Sequence, residues 1–135
     1  MGSEFTFYDY IDADGGGANV IRDWLNGEGK PAKAHFTIMI PHLEASPPPG
    51  LRDSVWQYPY VKVMKKQWKG FLEIRKTGKV QYRLLAKMEG RSVFLVGHAI
   101  HKGQNYKPDV SPETASMRVT QMMNNAKYRR EHEYS

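Results

Sequence analysis

Residues 70–101, GFLEIRKTGKVQYRLLAKMEGRSVFLVGHAIH, contain the pattern that decides the fold. Three runs of alternating apolar and polar side chains are separated by short turns at Gly78 and Gly90. A period of two with turns of hairpin length is typical of consecutive antiparallel strands. We therefore predict strands over residues 70–76, 79–88 and 92–101.

The same alternation predicts which side chains share a face of this sheet. The apolar set, expected to pack against helices, comprises Leu72, Ile74, Val80, Tyr82, Leu84, Ala86, Phe94, Val96, His98 and Ile100. The opposite face then gathers Glu73, Arg75, Gln81, Arg83, Lys87 and His101. Because Gly97 and Ala99 leave room above this second face, we predict a concave polar site there.

Helical spacing occurs in two segments before the strands. Residues 18–26 place apolar side chains on one side and end at Gly27, which predicts a short amphipathic helix. A second helix is predicted to begin near Pro31, since proline is tolerated in the first turn. Pro41 removes a hydrogen bond within that helix, which predicts a kink near Ile40 or, alternatively, an end there.

A third helix is predicted after the strands. Ser111 supplies an N-cap, Pro112 the first helical position and Glu113 an acidic first turn. We expect this helix to run to about Arg130. The fold class predicted is α+β in one domain over residues 6–135, and residues 1–5, MGSEF, are interpreted as a cloning scar.

Composition and charge bound the function. The net charge of +6 is unevenly divided: residues 1–60 contain 4 Lys/Arg and 8 Asp/Glu, whereas residues 61–135 contain 16 and 6. This asymmetry indicates an acidic partner such as nucleic acid for the second half, or alternatively a solubilising surface. The absence of cysteine excludes disulfides and thiolate metal sites, and no apolar run is long enough to span a membrane, so we expect a cytoplasmic protein.

Residues 58–69, YPYVKVMKKQWK, combine aromatic side chains with lysines. Aromatic rings stack on bases while lysines neutralise phosphates, so the segment favours contact with nucleic acid. Trp68 is expected either to stack on RNA or to anchor the sheet to a helix. The predicted nucleic-acid-binding residues are Lys65, Lys66, Trp68, Lys69, Lys76 and Lys87.

Residues 68–109, from WKGFLEIR through QYRLL to HKGQNYKPD, resemble the C-terminal sheet of phage-derived, HigB-like toxins of the RelE/ParE superfamily. Residues 8–27, YDYIDADGGGANVIRDWLNG, resemble the opening of the same toxins. The resemblance implies a RelE-like fold, in which two N-terminal helices pack on a small antiparallel sheet of three to four strands with a C-terminal helix. It also implies a toxin that cleaves translated mRNA on the ribosome and is silenced by a cognate antitoxin protein.

Cleavage of RNA without a metal needs a base for the 2′-hydroxyl, donors for the phosphorane and an acid for the 5′-oxygen. Arg83 and Arg75 suit phosphate binding, since a guanidinium grips phosphate oxygens through two hydrogen bonds. His101 is the candidate acid or base, because imidazole titrates near neutral pH. The candidate catalytic residues are Arg83, His101, Lys102, Arg75 and Glu73.

Each candidate also has a structural interpretation. Either arginine would pair with Glu73 across the strands, and Glu73 would then orient an arginine rather than act as a base. His101 and Lys102 would be solvated residues at a strand end, and His98 a hydrogen-bonded histidine of the core. The methionines of the last helix are expected in the core, or as a surface that receives an antitoxin segment.

Two other functions stay open at this point. A RelE/ParE-like fold also hosts non-enzymatic inhibitors of DNA gyrase, and fold alone does not decide function. The chain reads Gly97-His98-Ala99-Ile100-His101-Lys102 where relatives carry paired lysines, which favours a third alternative, a catalytically decayed nucleic-acid-binding module. No metal, no small-molecule cofactor and no membrane partner are predicted.

Overall fold

The computed structural model describes residues 4–133, which form an α+β fold built on one large mixed sheet. Within those residues the sheet has eight strands, and three α-helices pack against it. In chain order the elements are β1 (Thr6–Asp12), β2 (Ala18–Asn19), α1 (Val20–Asn26), α2 (Lys30–Ala45), β3 (Val61–Val63), β4 (Leu72–Lys76), β5 (Val80–Glu89), β6 (Ser92–Lys102), β7 (Asn105–Pro108), α3 (Pro112–Asn124) and β8 (Arg129–Glu131).

The sheet corrects the predicted fold class. A small antiparallel sheet of three to four strands, preceded by two helices, was wrong: the strand order is β2-β1-β6-β5-β4-β3, with β7 paired to β6 and β8 to β1. The chain opens with a strand, and β1 runs parallel to β6. These extra strands are short or pair with distant segments, so hairpin spacing alone does not reveal them.

Helices cover both faces of the sheet. On the first face, α1 and α2 bury Ile21, Phe36 and Ile40 against Ile74 and Leu84 of the central strands. On the second face, α3 buries Val119 and Met122 against residues of β5 and β6, together with Trp68 from the segment before β4. Within residues 4–133, none of the helices combines the length and the apolar character needed to cross a membrane.

The helices follow the local sequence signals. The Asn19 side chain caps α1 by accepting a hydrogen bond from the Arg22 backbone N–H, and α2 continues through Pro41 to Ala45. Ser111 caps α3 as predicted, with Oγ accepting from the Thr114 N–H at 3.1 Å. The helix ends at Asn124 rather than near Arg130, because Asn125 is extended and the chain turns into β8.

A β-bulge in β6 changes the predicted faces. Leu95 pairs with Ala86 and Gly97 with Leu85, so Val96 is the extra residue. Phe94 and Val96 therefore pack on the α3 side, whereas the prediction placed them with Leu84. Beyond the bulge, His98 and His101 lie on the predicted faces.

The first and last described residues pack on or beside the sheet. Of residues 1–5, Met1 to Ser3 lie outside the described residues, whereas Phe5 is buried against Trp56 with ring centroids 5.1 Å apart. At the other end, β8 pairs with β1, and His132 lies 2.7 Å from the buried carboxylate of Asp9. Phe5 is thus part of the same core as the rest of the chain.

Candidate phosphate-binding site

Six polar side chains meet on the second face, beyond the edge of the α3 core. The strand register places them side by side. Arg75 of β4 is opposite Arg83 of β5. His101 of β6 lies between its two cross-strand partners, Gln81 of β5 and Tyr106 of β7. We call this set the arginine cluster. Its members are Glu73, Arg75, Gln81, Arg83, His101 and Tyr106.

Arg83 lies at the centre of the arginine cluster and is 7% exposed. Its Nη1 donates to both carboxylate oxygens of Glu73, at 3.0 and 3.3 Å. Its Nη2 donates to Gln81 Oε1 at 2.6 Å and to His101 Nδ1 at 3.0 Å. The guanidinium is therefore fixed in one orientation by three neighbours.

Arg75 has much weaker support. It is 9% exposed, and its Nη2 donates to the same Gln81 oxygen at 3.3 Å. The guanidinium lies over the ring of Tyr58, 5.3 Å from the centroid. Within residues 4–133, no carboxylate forms an ion pair with Arg75.

The charges of the cluster do not balance. The cluster contains two guanidinium groups and one carboxylate, which is paired with Arg83 alone, and like charges directly opposite each other destabilise a sheet. The Nε atoms of Arg75 and Arg83 are buried and have no hydrogen-bond partner among the described residues. Buried donors without acceptors cost free energy, so the arrangement favours an anion with several oxygen acceptors.

Glu73 is 3% exposed, and both oxygens of its carboxylate accept hydrogen bonds. Besides the bonds from Arg83, its Oε2 accepts the hydroxyl of Tyr106 at 2.9 Å. Burial and the neighbouring carboxylate of Glu73 raise the pKa of Tyr106, so its phenol stays protonated at neutral pH. These contacts suit Glu73 to hold Arg83 in place.

His101 is the imidazole of the arginine cluster and receives a hydrogen bond from Arg83. A guanidinium only donates hydrogen bonds, so the Nδ1 of His101 must accept from Arg83. In a neutral ring the proton then lies on Nε2. His101 is half-buried, and its ring meets that of Tyr106 edge to face, with centroids 5.7 Å apart.

Several predicted residues lie elsewhere. Lys102 pairs with Val80 and lines a separate cavity of about 450 Å³ with His98 and Lys107, on the face of α1. Lys87 is 3.7 Å from Glu89 at the other end of β5. The structure therefore does not bring these two lysines to the arginine cluster.

The remaining predicted basic residues also lie outside the arginine cluster. Lys65, Lys66 and Lys69 are exposed in the turn before β4, and the Nζ of Lys76 approaches the carbonyl of Thr77 at 3.3 Å. Trp68 is buried, with its ring 5.6 Å from that of Phe71. This buried position matches a role in anchoring the sheet to a helix rather than in stacking on RNA.

His98 belongs to the opposite face. Its ring stacks on Trp24 at 4.6 Å with an interplanar angle of 7°. Nε2 lies 3.3 Å from Asp109 Oδ2, and Arg118 approaches the same oxygen at 3.6 Å. Burial lowers the pKa of His98, and the nearby Asp109 only partly opposes this.

Sequence reasoning missed two aromatic members of the site. Tyr106 joins the cluster because β7 folds back on β6 after the turn at Gly103, and Tyr58 lies against Arg75 from the loop before β3. The polar alternation of residues 104–107 was a weak signal for a further strand. In the part of the chain that the structure describes, no group of three His, Asp or Glu side chains is arranged to hold a metal ion.

Comparison of the chain with protein-family models, with curated proteins and with solved structures found no match.

Proposed function

We propose that the arginine cluster binds the phosphodiester backbone of RNA and that the protein cleaves RNA there, as a toxin directed at translated mRNA. The observation that carries this proposal is the direct pairing of Arg75 with Arg83, in which only Arg83 is paired with a carboxylate and neither Nε atom has a hydrogen-bond partner among residues 4–133. A phosphate group offers the negative charge and the oxygen acceptors that this pair lacks. The excess of ten positive charges in residues 61–135 supports the same class of ligand.

The proposed chemistry is transesterification. The 2′-oxygen of a ribose forms a bond to phosphorus, and the bond from phosphorus to the 5′-oxygen of the next nucleotide breaks. The products are a 2′,3′-cyclic phosphate and a free 5′-hydroxyl. Arg75 and Arg83 stabilise the charge that develops on the phosphorane oxygens, which is the kind of stabilisation that preorganised donors provide best.

We assign the proton transfer to His101. The Nδ1 of His101 releases the hydrogen bond from Arg83 and takes the proton of the 2′-hydroxyl, and the freed N–H of Nη2 then donates to the phosphate while Arg83 keeps its orientation. The resulting imidazolium returns a proton to the departing 5′-oxygen. Glu73 keeps Arg83 in position through its two carboxylate oxygens, and is a positioning residue in this scheme.

The cellular part of the proposal rests on sequence. The resemblance of residues 68–109 to HigB-like toxins supports mRNA on the ribosome as the substrate and a cognate antitoxin as the partner. Met117 and Met123 are exposed on α3, and exposed methionines are adaptable contacts for a partner segment.

The test uses purified protein and a short single-stranded RNA, with Arg75→Ala as the variant. We expect cleavage products with 2′,3′-cyclic phosphate ends from the unmodified protein and none from the variant. An oligomer with 2′-deoxyribose at every position is the control, since it lacks the attacking hydroxyl. Ribosomes that carry an mRNA are tested as a second substrate, because toxins of this kind can require the ribosome for cleavage.

Other outcomes would contradict cleavage. Binding of RNA that stays intact, in both free and ribosomal form, would identify a nucleic-acid-binding module. Growth arrest after induction with intact cellular message would point to a gyrase inhibitor instead. Primer extension on mRNA from induced cells separates these results from true cleavage, which produces new ends within coding regions.

A further inference from the structure

A groove lies at the outer edge of the sheet, on the face covered by α1 and α2, and it reaches the arginine cluster through Tyr58. It lies between the loop before β3 and strand β3 itself, and encloses about 320 Å³. Most of its lining is apolar or aromatic: Pro49, Trp56, Gln57, Tyr58, Val61, Lys62, Val63 and Leu72. A cavity of this size with a mostly apolar lining and few polar groups is typical of sites for small organic groups.

Tyr58 connects the groove to the cluster. Its ring forms part of the groove wall and also lies against the Arg75 guanidinium, 5.3 Å from the centroid to Cζ. Tyr58 is 71% exposed, so part of its ring surface is open to solvent. The backbone reinforces the junction, because the N–H of Arg75 donates to the carbonyl of Tyr60 at 2.9 Å.

Charge and apolar surface meet at this point. Lys62 lines the groove and is the cross-strand partner of Glu73, so its positive charge belongs to the same edge of the sheet. On the far side, Val63 is 65% exposed. A ligand that fits both regions has an anionic group next to a flat, apolar ring, which describes a nucleotide within a nucleic acid strand.

We propose that this groove binds the base of a nucleotide adjoining the phosphate held by Arg75 and Arg83, with Tyr58 as its stacking surface. This inference rests on the proposed function. A base can enter the groove only after leaving a base-paired stack, so the site selects single-stranded RNA. It therefore gives the cluster a substrate class that the phosphate contacts alone do not supply.

The groove and the free edge of β3 would also fit an extended peptide that adds a strand to the sheet. The base is favoured because Tyr58 serves both regions, and because the adjoining cluster carries excess positive charge. A peptide would meet the Arg75 and Arg83 donors only through an acidic group, whereas every nucleotide of an RNA strand carries a phosphate. Binding of an extended peptide in the groove, in place of a base, would overturn the proposal.

The experiment measures binding of a fluorescently labelled single-stranded RNA by anisotropy, under conditions that prevent cleavage, such as uniform 2′-O-methylation. Tyr58→Ala is expected to weaken binding roughly 5- to 150-fold, the range for loss of one stacked base. Tyr58→Trp is expected to bind at least as tightly as the unmodified protein. Leu51→Ala removes another exposed apolar residue of the same loop, outside the groove, and should bind like the unmodified protein.

A second ligand separates the base from the phosphate. We expect an abasic oligomer to bind the unmodified protein and Tyr58→Ala equally weakly, and an RNA duplex to bind no better than the abasic strand. Equal affinity of Tyr58→Ala and the unmodified protein for ordinary RNA would overturn the groove proposal, while loss of binding in Arg75→Met would still support the phosphate site. No binding of any RNA by the unmodified protein would overturn both.

Discussion

Arg75 and Arg83 face each other across β4 and β5, and the Glu73 carboxylate is paired with Arg83 alone. Arg83 holds that carboxylate, and Arg75 is left with an amide oxygen and an aromatic ring. An arrangement of this kind is costly for an isolated sheet and useful for binding an anion. Stability and binding should therefore respond in opposite directions when Arg75 is changed.

We expect Arg75→Met to raise the free energy of unfolding by up to about 1 kcal/mol at low salt, because it removes one of two opposed charges. The same variant should lose most of its affinity for RNA. Urea denaturation and RNA binding, measured on one preparation, test both effects. Lys79→Met, at an exposed turn, is the control; a less stable Arg75→Met that binds RNA normally would make Arg75 purely structural.

Arg83 should behave differently, because it is buried in an ion pair with Glu73. Arg83→Ala leaves a buried carboxylate without its partner, and we expect a loss of about 3–5 kcal/mol in the free energy of unfolding. Glu73→Gln should also destabilise the protein. In the double variant Glu73→Gln/Arg83→Ala, the combined loss should be smaller than the sum, as a denaturation-based double-mutant cycle will show; strictly additive losses would argue against coupling.

The lowered pKa of His98 predicts that the free energy of unfolding depends on pH. Burial lowers its pKa below the ordinary value of 6.5, so the unfolded chain takes up a proton more readily than the folded chain. The contribution of neutral His98 to the free energy of unfolding is complete above pH 6.5 and is lost as the pH falls through the lower pKa of the folded state. Burial lowers the pKa of His35 too, so part of the same trend comes from α2.

The check compares unfolding at several pH values between about 5 and 7.5, the range in which histidine ordinarily titrates. We expect stability to fall less steeply with decreasing pH in His98→Gln than in the unmodified protein. His42→Gln, in the last turn of α2, should leave the slope unchanged. An identical slope in His98→Gln would show that this imidazole is not responsible.

Gly97 allows the close approach of Asp109. A Cβ at residue 97 would lie 2.5 Å from Asp109 Oδ1, the atom that accepts the His98 backbone N–H at 2.8 Å. We expect Gly97→Ala to lower the free energy of unfolding by about 1–3 kcal/mol, the usual cost of overpacking. In an Asp109→Ala background the same substitution should cost clearly less, and an unchanged cost would assign the strain to Val110 instead.

The lysines of the turn before β4 should contribute to RNA affinity without being specific. Lys65→Gln together with Lys66→Gln is expected to reduce the salt dependence of RNA binding, by roughly 0.7 in the logarithmic slope for each phosphate that is no longer neutralised. The matched control is Lys30→Gln with Lys33→Gln on α2, on the other face of the sheet. An unchanged slope would exclude the turn from the RNA path.

Local patterns were sufficient for the central hairpins. The period of two in residues 70–101 predicted β4, β5 and β6 to within two residues, and it grouped Glu73, Arg75, Gln81, Arg83 and His101 on one face. Caps and spacing likewise predicted where α2 and α3 begin and where α1 ends, whereas residues 18–19, expected in the first helix, form β2. These features depend on neighbouring residues, which a sequence displays directly.

Long-range pairing was the part that the sequence concealed. Residues 6–12 alternate aromatic and polar side chains, but their parallel pairing with β6 depends on a segment more than eighty residues away. Tyr106 was missed because β7 acquires its position only by pairing with β6. Lys102 was grouped with His101 although adjacent residues of a strand point to opposite faces, as the structure shows.

The bulge at Val96 decides what chemistry the arginine cluster can carry. In an unbroken strand, alternation from Phe94 would bring Ile100 and Lys102 to the face of Arg83 and turn His101 away. The cluster would then hold three permanent cations around one carboxylate, without the imidazole that now accepts from Arg83. A single inserted residue, remote from any bound phosphate, thus separates a potential proton-transfer site from a simple electrostatic clamp.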